Sequence, residues 1–300
     1  MATMFGERMV TAARDAGNCA VVGLDPHLDR LPSVFRERYV GRTGLSFRTE
    51  AAMAVLEFNR LVIEAVKGRV PAIKPQFAFY EELGSPGFSA LEETCALARE
   101  AGLLILADAK RGDIASTAAA YARSILSLDG PFQADAVTVN AWMGADTLDP
   151  FIEVCAETGG GIFVLVRTTN PGSAFLQHHG QPRAAHALAE VLNKKGESLV
   201  GPSGFSSVGA VVGAMTGDEA SELRDLMPAA WYLVPGVGAQ GGSTDDAVAG
   251  ARSDGLGCLV NSSRAVLYAP QDERAVYEAD PGQWIAQAAR ALADRFQLDA

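Results

Sequence analysis

The sequence predicts an α/β protein, a (β/α)8 barrel of the TIM type, on three observations. Eight short apolar runs rich in Val, Ile and Leu recur along the 300 residues with little polar alternation, as strands covered on both faces require. Each run is followed by a stretch in which apolar residues return at three-to-four spacing, the mark of an amphipathic helix. Eight such units in a chain of this length favour a closed barrel over an open sheet. No linker or low-complexity tract interrupts residues 1–300, so a single barrel domain is expected.

The elements follow in order. Residues 5–16 form a helical stretch ahead of the first run and are expected to cap the barrel floor. The run "CAVVGL" (19–24) leads through a long connection, 25–49, to a helix at 50–67. "VPAIK" (70–74) leads to a helix at 90–102, "LLILADAK" (103–110) to 116–128, and "DAVTVN" (135–140) to 145–159. "GIFVLV" (161–166) is followed by a second long connection, 167–183, and a helix at 184–199. "VGAVVG" (208–213), "WYLVP" (231–235) and "GCLVN" (257–261) lead to helices at 218–227, 244–255 and 280–296. Both long connections follow a strand. They therefore belong to the C-terminal face, where active sites of this architecture sit.

Composition narrows the functional classes. Lys and Arg number 25 against 36 Asp and Glu, a formal charge of −11. Such a surface suits neither nucleic acid nor an anionic membrane, while a local cluster of cations can still hold a small anion. The N-terminus carries charges throughout and has no apolar signal core, and no window approaches the ~18 apolar residues of a membrane span. A cytoplasmic protein is expected. Cys19, Cys95, Cys155 and Cys258 are scattered without a CxxC pair, as free thiols in a reducing compartment would be. His27, His178, His179 and His186 lack the spacing of a helical metal pair, and no carboxylate cluster resembles a magnesium site, so no metal is expected.

Polar residues gather where the apolar runs end. Asp25 follows the first, Lys74 ends the second, Asp108 and Lys110 the third, Arg167 and Thr169 the fifth, and Arg264 the eighth. Asp108 and Lys110 are two apart on a strand and so share a face with Leu104 and Leu106 beneath them. Lys110 is expected to stand partly desolvated over that apolar plug, with Asp108 and Asp113 keeping it an ammonium. It would then serve as a fixed cation and proton donor. Asp113 has a competing reading as the N-cap of the helix that follows. The turn "PGVGAQGGST" (235–244) leads into a helix and, with Arg264, has the chemistry of a phosphate site. These residues by themselves indicate a barrel enzyme acting on a phosphorylated substrate.

With those residues placed, the chain resembles the orotidine 5'-phosphate decarboxylase family, particularly its longer bacterial branch. "DAKRGDIAST" (108–117) is similar to the family's D-x-K-x-x-D-I-x-x-T signature, "PGVGAQGG" to its phosphate loop, and "LDP" and "IKPQ" fit after the first two strands. The resemblance implies decarboxylation of orotidine 5'-phosphate to UMP, the last step of de novo UMP synthesis, with no cofactor. It implies that Lys110 and Asp108 sit against the reacting carbon, that Lys74 joins their charge network, and that Asp25 holds a ribose hydroxyl. It implies a homodimer with shared sites, in which Asp113, Ile114 and Thr117 reach into the neighbour. Thr169 would contact the pyrimidine amide edge, and Gln240 and Arg264 the phosphate. Two departures stand out: Ser263 where many members have Gly, and Ala115 where many have Pro. The rival readings are a magnesium-dependent sugar-phosphate enzyme of the same superfamily, a Schiff-base aldolase, and a non-catalytic phosphate-binding barrel.

Overall fold

The computed structural model describes residues 3–214, 217–236 and 243–298. Eight parallel strands close into a barrel in sequence order: β1 (Ala20–Leu24), β2 (Ala72–Pro75), β3 (Leu104–Arg111), β4 (Ala136–Val139), β5 (Gly161–Arg167), β6 (Val208–Val212), β7 (Tyr232–Val234) and β8 (Cys258–Ser262). Closure comes from β8 on β1, with Val21 opposite Asn261 and Val22 opposite Ser262. Each strand lies on the apolar run expected of it. Runs of β-branched residues with both faces buried have no polar side to turn to solvent, so only a sheet wrapped by helices accommodates them.

The wrapping helices are α1 (Phe5–Ala16), α2 (Gly44–Val66), α3 (Ser85–Glu100), α4 (Ala115–Leu126), α5 (Asp149–Thr158), α6 (Ala184–Gly196), α7 (Gly217–Leu226), α8 (Thr244–Val248) and α9 (Pro281–Arg295). Apart from α1, their apolar stripes pack on the outer barrel face in one large core. A second, smaller core fills the barrel itself, where Val21, Leu106, Phe163, Val211, Leu233 and Leu259 meet. Among the described residues no helix is long and apolar enough to cross a membrane.

α1 caps the floor as expected. Phe5, Met9, Val10 and Ala13 pack into the inner core, and the Phe5 ring meets Phe163 edge-on at 5.7 Å. A side chain at Gly6 would strike the Phe205 carbonyl, so the helix approaches the strand starts only because that position has none. The Trp231 indole donates to the Gly6 carbonyl at 3.3 Å.

Three helix boundaries differ from expectation by five residues or more; one is α3, which begins at Ser85 rather than at residue 90. α2 begins at Gly44 rather than at residue 50 and takes up the end of the first long connection. α8 stops at Val248 instead of running to 255. Its next carbonyls are claimed from α7: Ser221 Oγ donates to Ala249 O at 3.1 Å and Arg224 Nε to Gly250 O at 2.7 Å. Gly250 also packs flat on the Tyr232 ring, where a Cβ would be 2.6 Å from a ring carbon. The remainder of the first connection is anchored behind β8. Tyr268 Oη donates to the Asp25 carbonyl at 2.9 Å, and Ser33 donates to the Glu278 carboxylate. This fixes the backbone from which Asp25 projects.

Candidate active site

Asp108 is the hub of the C-terminal face. Lys74 Nζ lies 2.7 Å from its Oδ2, and Gln76 Nε2 donates to the same oxygen at 2.7 Å. Its Oδ1 accepts from Lys110 Nζ at 2.6 Å and from Thr138 Oγ1 at 2.9 Å. Four donors from β2, β3, β4 and the residue after β2 thus saturate one carboxylate. Burial alone would push the Asp108 carboxyl up, but Lys74 and Lys110 outweigh it and hold it well below the usual carboxylate range. Burial works against the Lys74 ammonium, yet Asp108 and Asp25 outweigh it and raise its pKa above the ordinary lysine value.

The expectation of a desolvated Lys110 needs correction. Its side chain is 48% exposed, while that of Lys74 is 5% exposed. The register of β3 against β4 shifts between Ala107 and Arg111, and Lys110 itself has a left-handed backbone, φ 47°. That irregularity lifts Lys110 to the rim, and Thr138 Oγ1 accepts its backbone N–H at 2.9 Å. Strain of this kind in a non-glycine residue persists only where the surroundings hold it. Leu104 and Leu106 do face the barrel interior as expected. Lys110 pairs with Asp108 alone; Asp113 of the same chain is not among its ion-pair partners within the described residues.

Above this network a cavity of about 540 Å³ opens, lined by Asp25, Lys74, Asp108, Lys110, Thr169 and Arg264 among others. Leu165, Val211 and Leu233 lie in its apolar part. Asp25 Oδ1 is buried without a hydrogen-bond partner. The Arg264 guanidinium makes no hydrogen bond or ion pair to any described residue. Pro235 and Gly236 begin the Gly-rich turn and line the cavity wall; Gln240 lies outside the described residues.

Asp113, Ile114 and Thr117 do not line this cavity. Ile114 is 53% exposed and Thr117 is exposed. The N-cap reading of Asp113 fails: the capping position of α4 is Ile114, with no side-chain cap, and Asp113 Oδ1 accepts only from the adjacent Ile114 N–H at 2.7 Å.

The sequence matches the profile of the Orotidine 5'-phosphate decarboxylase / HUMPS family over residues 21–279. The chain belongs to this family. It is 40% identical to the orotidine 5'-phosphate decarboxylase of Rhodopirellula baltica over 93% of each chain. It is 43% identical to that of Deinococcus radiodurans over 83% of each. The solved structure of Leishmania donovani OMP decarboxylase superposes with a TM-score of 0.70 at 31% identity, covering 97% of this chain and 99% of that one.

Both departures from the decarboxylase pattern have a physical reading. Ala115 has φ 42°, a conformation closed to proline, whose ring fixes φ near −65°. Ser263 places its hydroxyl over Gly23, where a Cβ would come within 1.9 Å of Oγ; the bulk absent at residue 23 is present at 263.

Several residues of the candidate site were not singled out from sequence. Gln76 and Thr138 complete the Asp108 shell. Thr138 carried a signal, being the polar residue inside the apolar run of β4. Gln177, in the second long connection, accepts from Thr168 N–H at 2.9 Å and from Arg167 at 3.2 Å. Arg167 in turn pairs with Glu219 of α7 at 2.7 Å, and His178 meets the same carboxylate at 3.2 Å. This fastens the connection that borders the cavity, and no local pattern announces it.

Proposed function

We propose that this chain decarboxylates orotidine 5'-phosphate to UMP and CO2. The observation that carries the reading is the Lys74–Asp108–Lys110 array at the mouth of a barrel whose relatives bear that activity in their names. The bond from C6 to the carboxylate breaks with its electron pair left on C6. The Lys110 ammonium stands beside that centre, stabilises the developing charge and donates the proton that makes the C6–H of UMP, then recovers a proton from solvent. Asp108 holds Lys110 in place. Lys74 and Thr138 hold Asp108, so the array is preorganised before substrate arrives. This field does the work that an electron-sink cofactor would do, and none enters the proposal.

The remaining assignments follow the cavity. Asp25 takes a ribose hydroxyl, which supplies the donor its buried oxygen lacks. Thr169 takes the pyrimidine amide edge, and Arg264 and Gln240 the phosphate, whose binding energy draws down the 167–183 connection. Asp113, Ile114 and Thr117 face away from their own cavity and serve the site of a second copy in a homodimer. The exposure of Ile114 and Thr117 supports this, as does the exposure of Trp142 and Met143 beyond the neighbouring strand end. A cytoplasmic location accords with four free, buried thiols and an acidic chain.

The test is to incubate the purified protein with orotidine 5'-phosphate in the presence of a chelator and follow the ultraviolet change to UMP. Conversion that persists in EDTA is expected. Conversion abolished by EDTA and restored by magnesium would favour the metal-dependent reading, and tight UMP binding with no CO2 release the non-catalytic one.

A further inference from the structure

Asn261 has no assigned role, yet its setting is unusual. It lies in β8, lines the cavity and is 8% exposed. Its Oδ1 is buried and has no hydrogen-bond partner, and its amide nitrogen donates to no described residue. An amide taken from water without its hydrogen bonds is destabilising by about 1–3 kcal/mol, so such groups are rare in folded proteins. Leu259, two residues earlier on the same face, is part of the inner apolar core. A leucine at 261 would continue that pattern without the penalty.

The backbone opposite is shaped to admit the amide. A Cβ on Gly23 would lie 3.1 Å from Asn261 Oδ1 as well as 1.9 Å from Ser263 Oγ. Asp25, two residues on from Gly23 and just past the end of β1, carries the other unpartnered buried oxygen of the cavity. Two acceptors without donors therefore flank one gap, at the seam where β1 meets β8. A carboxylate or phosphate group of a ligand, being an acceptor only, could not satisfy them. A pair of neighbouring hydroxyls could, each donating its one proton to one of the two acceptors.

We propose that Asn261 is a specificity-determining residue that hydrogen-bonds a ribose hydroxyl of the bound nucleotide from the β8 wall, beside Asp25. This rests on the reading that the cavity takes a nucleoside monophosphate. Its consequence is selection for ribonucleotides: a deoxy substrate leaves the amide unsatisfied and forfeits the bond.

The experiment is a cycle between residue and ligand. Binding of UMP, 2'-deoxy-UMP and 3'-deoxy-UMP is measured by calorimetry on the wild type, Asn261→Leu and Asn261→Ala, with thermal unfolding of each to confirm the fold. Asn261→Leu removes an unsatisfied group from an apolar wall and should not lower the melting temperature. Both variants should bind UMP about tenfold more weakly than wild type does. The loss should vanish for the analogue lacking the hydroxyl that Asn261 reads. An equal loss for all three nucleotides, or no loss for any, overturns the assignment while leaving the nucleotide reading intact. Failure of the wild type to bind any of the three overturns both. If Asn261→Leu does not fold, Asn261→Ala carries the comparison alone.

Discussion

Lys74 Nζ stands 2.7 Å from Asp108 Oδ2, in an ion pair whose two side chains are 5% and 9% exposed. Among the described residues it is the one pair in which both partners are below a tenth exposed. An isolated charge at that depth would be neutralised rather than tolerated. The pair survives because Asp108 collects four donors and Lys74 has Asp25 as a second carboxylate nearby.

Removing both partners should therefore cost less than the two single removals added together. Lys74→Met leaves Asp108 buried with a weaker counter-charge and is expected to destabilise the fold by about 3–5 kcal/mol. The double variant Lys74→Met with Asp108→Asn should lose less than the sum of the single changes, because the second change removes the charge that the first exposed. Urea unfolding of the four proteins measures this. Additive losses would mean that the two side chains do not share one electrostatic unit.

Lys110 should behave in the opposite way. Its side chain is nearly half exposed and its ion pair is open to solvent screening, so Lys110→Ala should change stability by no more than about 1 kcal/mol. Turnover should fall by at least about 10³-fold, the order expected when a proton donor and a fixed charge are lost together. Melting temperature and UMP formation on the same preparation separate the two effects. A variant that unfolds early, or that retains near-normal turnover, would contradict the division of labour between the two lysines.

That division marks the limit of what the sequence discloses. The eight strands are legible because their apolar runs are uninterrupted, and the chemistry of the β3 end is legible because Asp108, Lys110 and Asp113 stand close together. Which lysine is buried is not legible. It depends on the register shift between β3 and β4, which is a property of two strands and not of either one. The early end of α8 escapes for a similar reason, since Ser221 and Arg224 capture its carbonyls from a different helix. Gln76 and Thr138 were visible as polar residues at strand ends, but only the closed barrel turns both toward Asp108.

The pH dependence of stability follows from the same pair. Asp108 is held below its unfolded value, so its contribution is complete above about pH 4, the unfolded carboxylate range, and fades as pH falls toward the depressed folded value. Lys74 is raised, so its contribution is complete below about pH 10.4, the unfolded lysine value, and fades as pH rises through the folded one. The stability difference between wild type and Asp108→Asn should thus be flat from about pH 5 to 9 and shrink in more acid solution. Denaturant unfolding at stepped pH provides the measurement. A difference that grows below pH 4 would carry the wrong sign for a stabilised carboxylate.

The shared site can be tested without a structure of the assembly. On the proposed reading, Lys110→Ala would remove the proton donor of a chain's own cavity, whereas Asp113→Ala would remove an acid that the same chain lends to its neighbour. Each homodimer should be inactive. In a hybrid, one site combines the altered Lys110 position with the altered Asp113 position, and the other site combines an intact Lys110 with an intact Asp113. Equal mixing after reversible dissociation makes about half the dimers hybrid, so about a quarter of wild-type activity should return. Tagging the two subunits differently and isolating the hybrid by tandem affinity purification raises the expectation to about half. An isolated hybrid with no activity would place Asp113 in the service of its own chain and remove the exposed β3–α4 turn from the catalytic machinery.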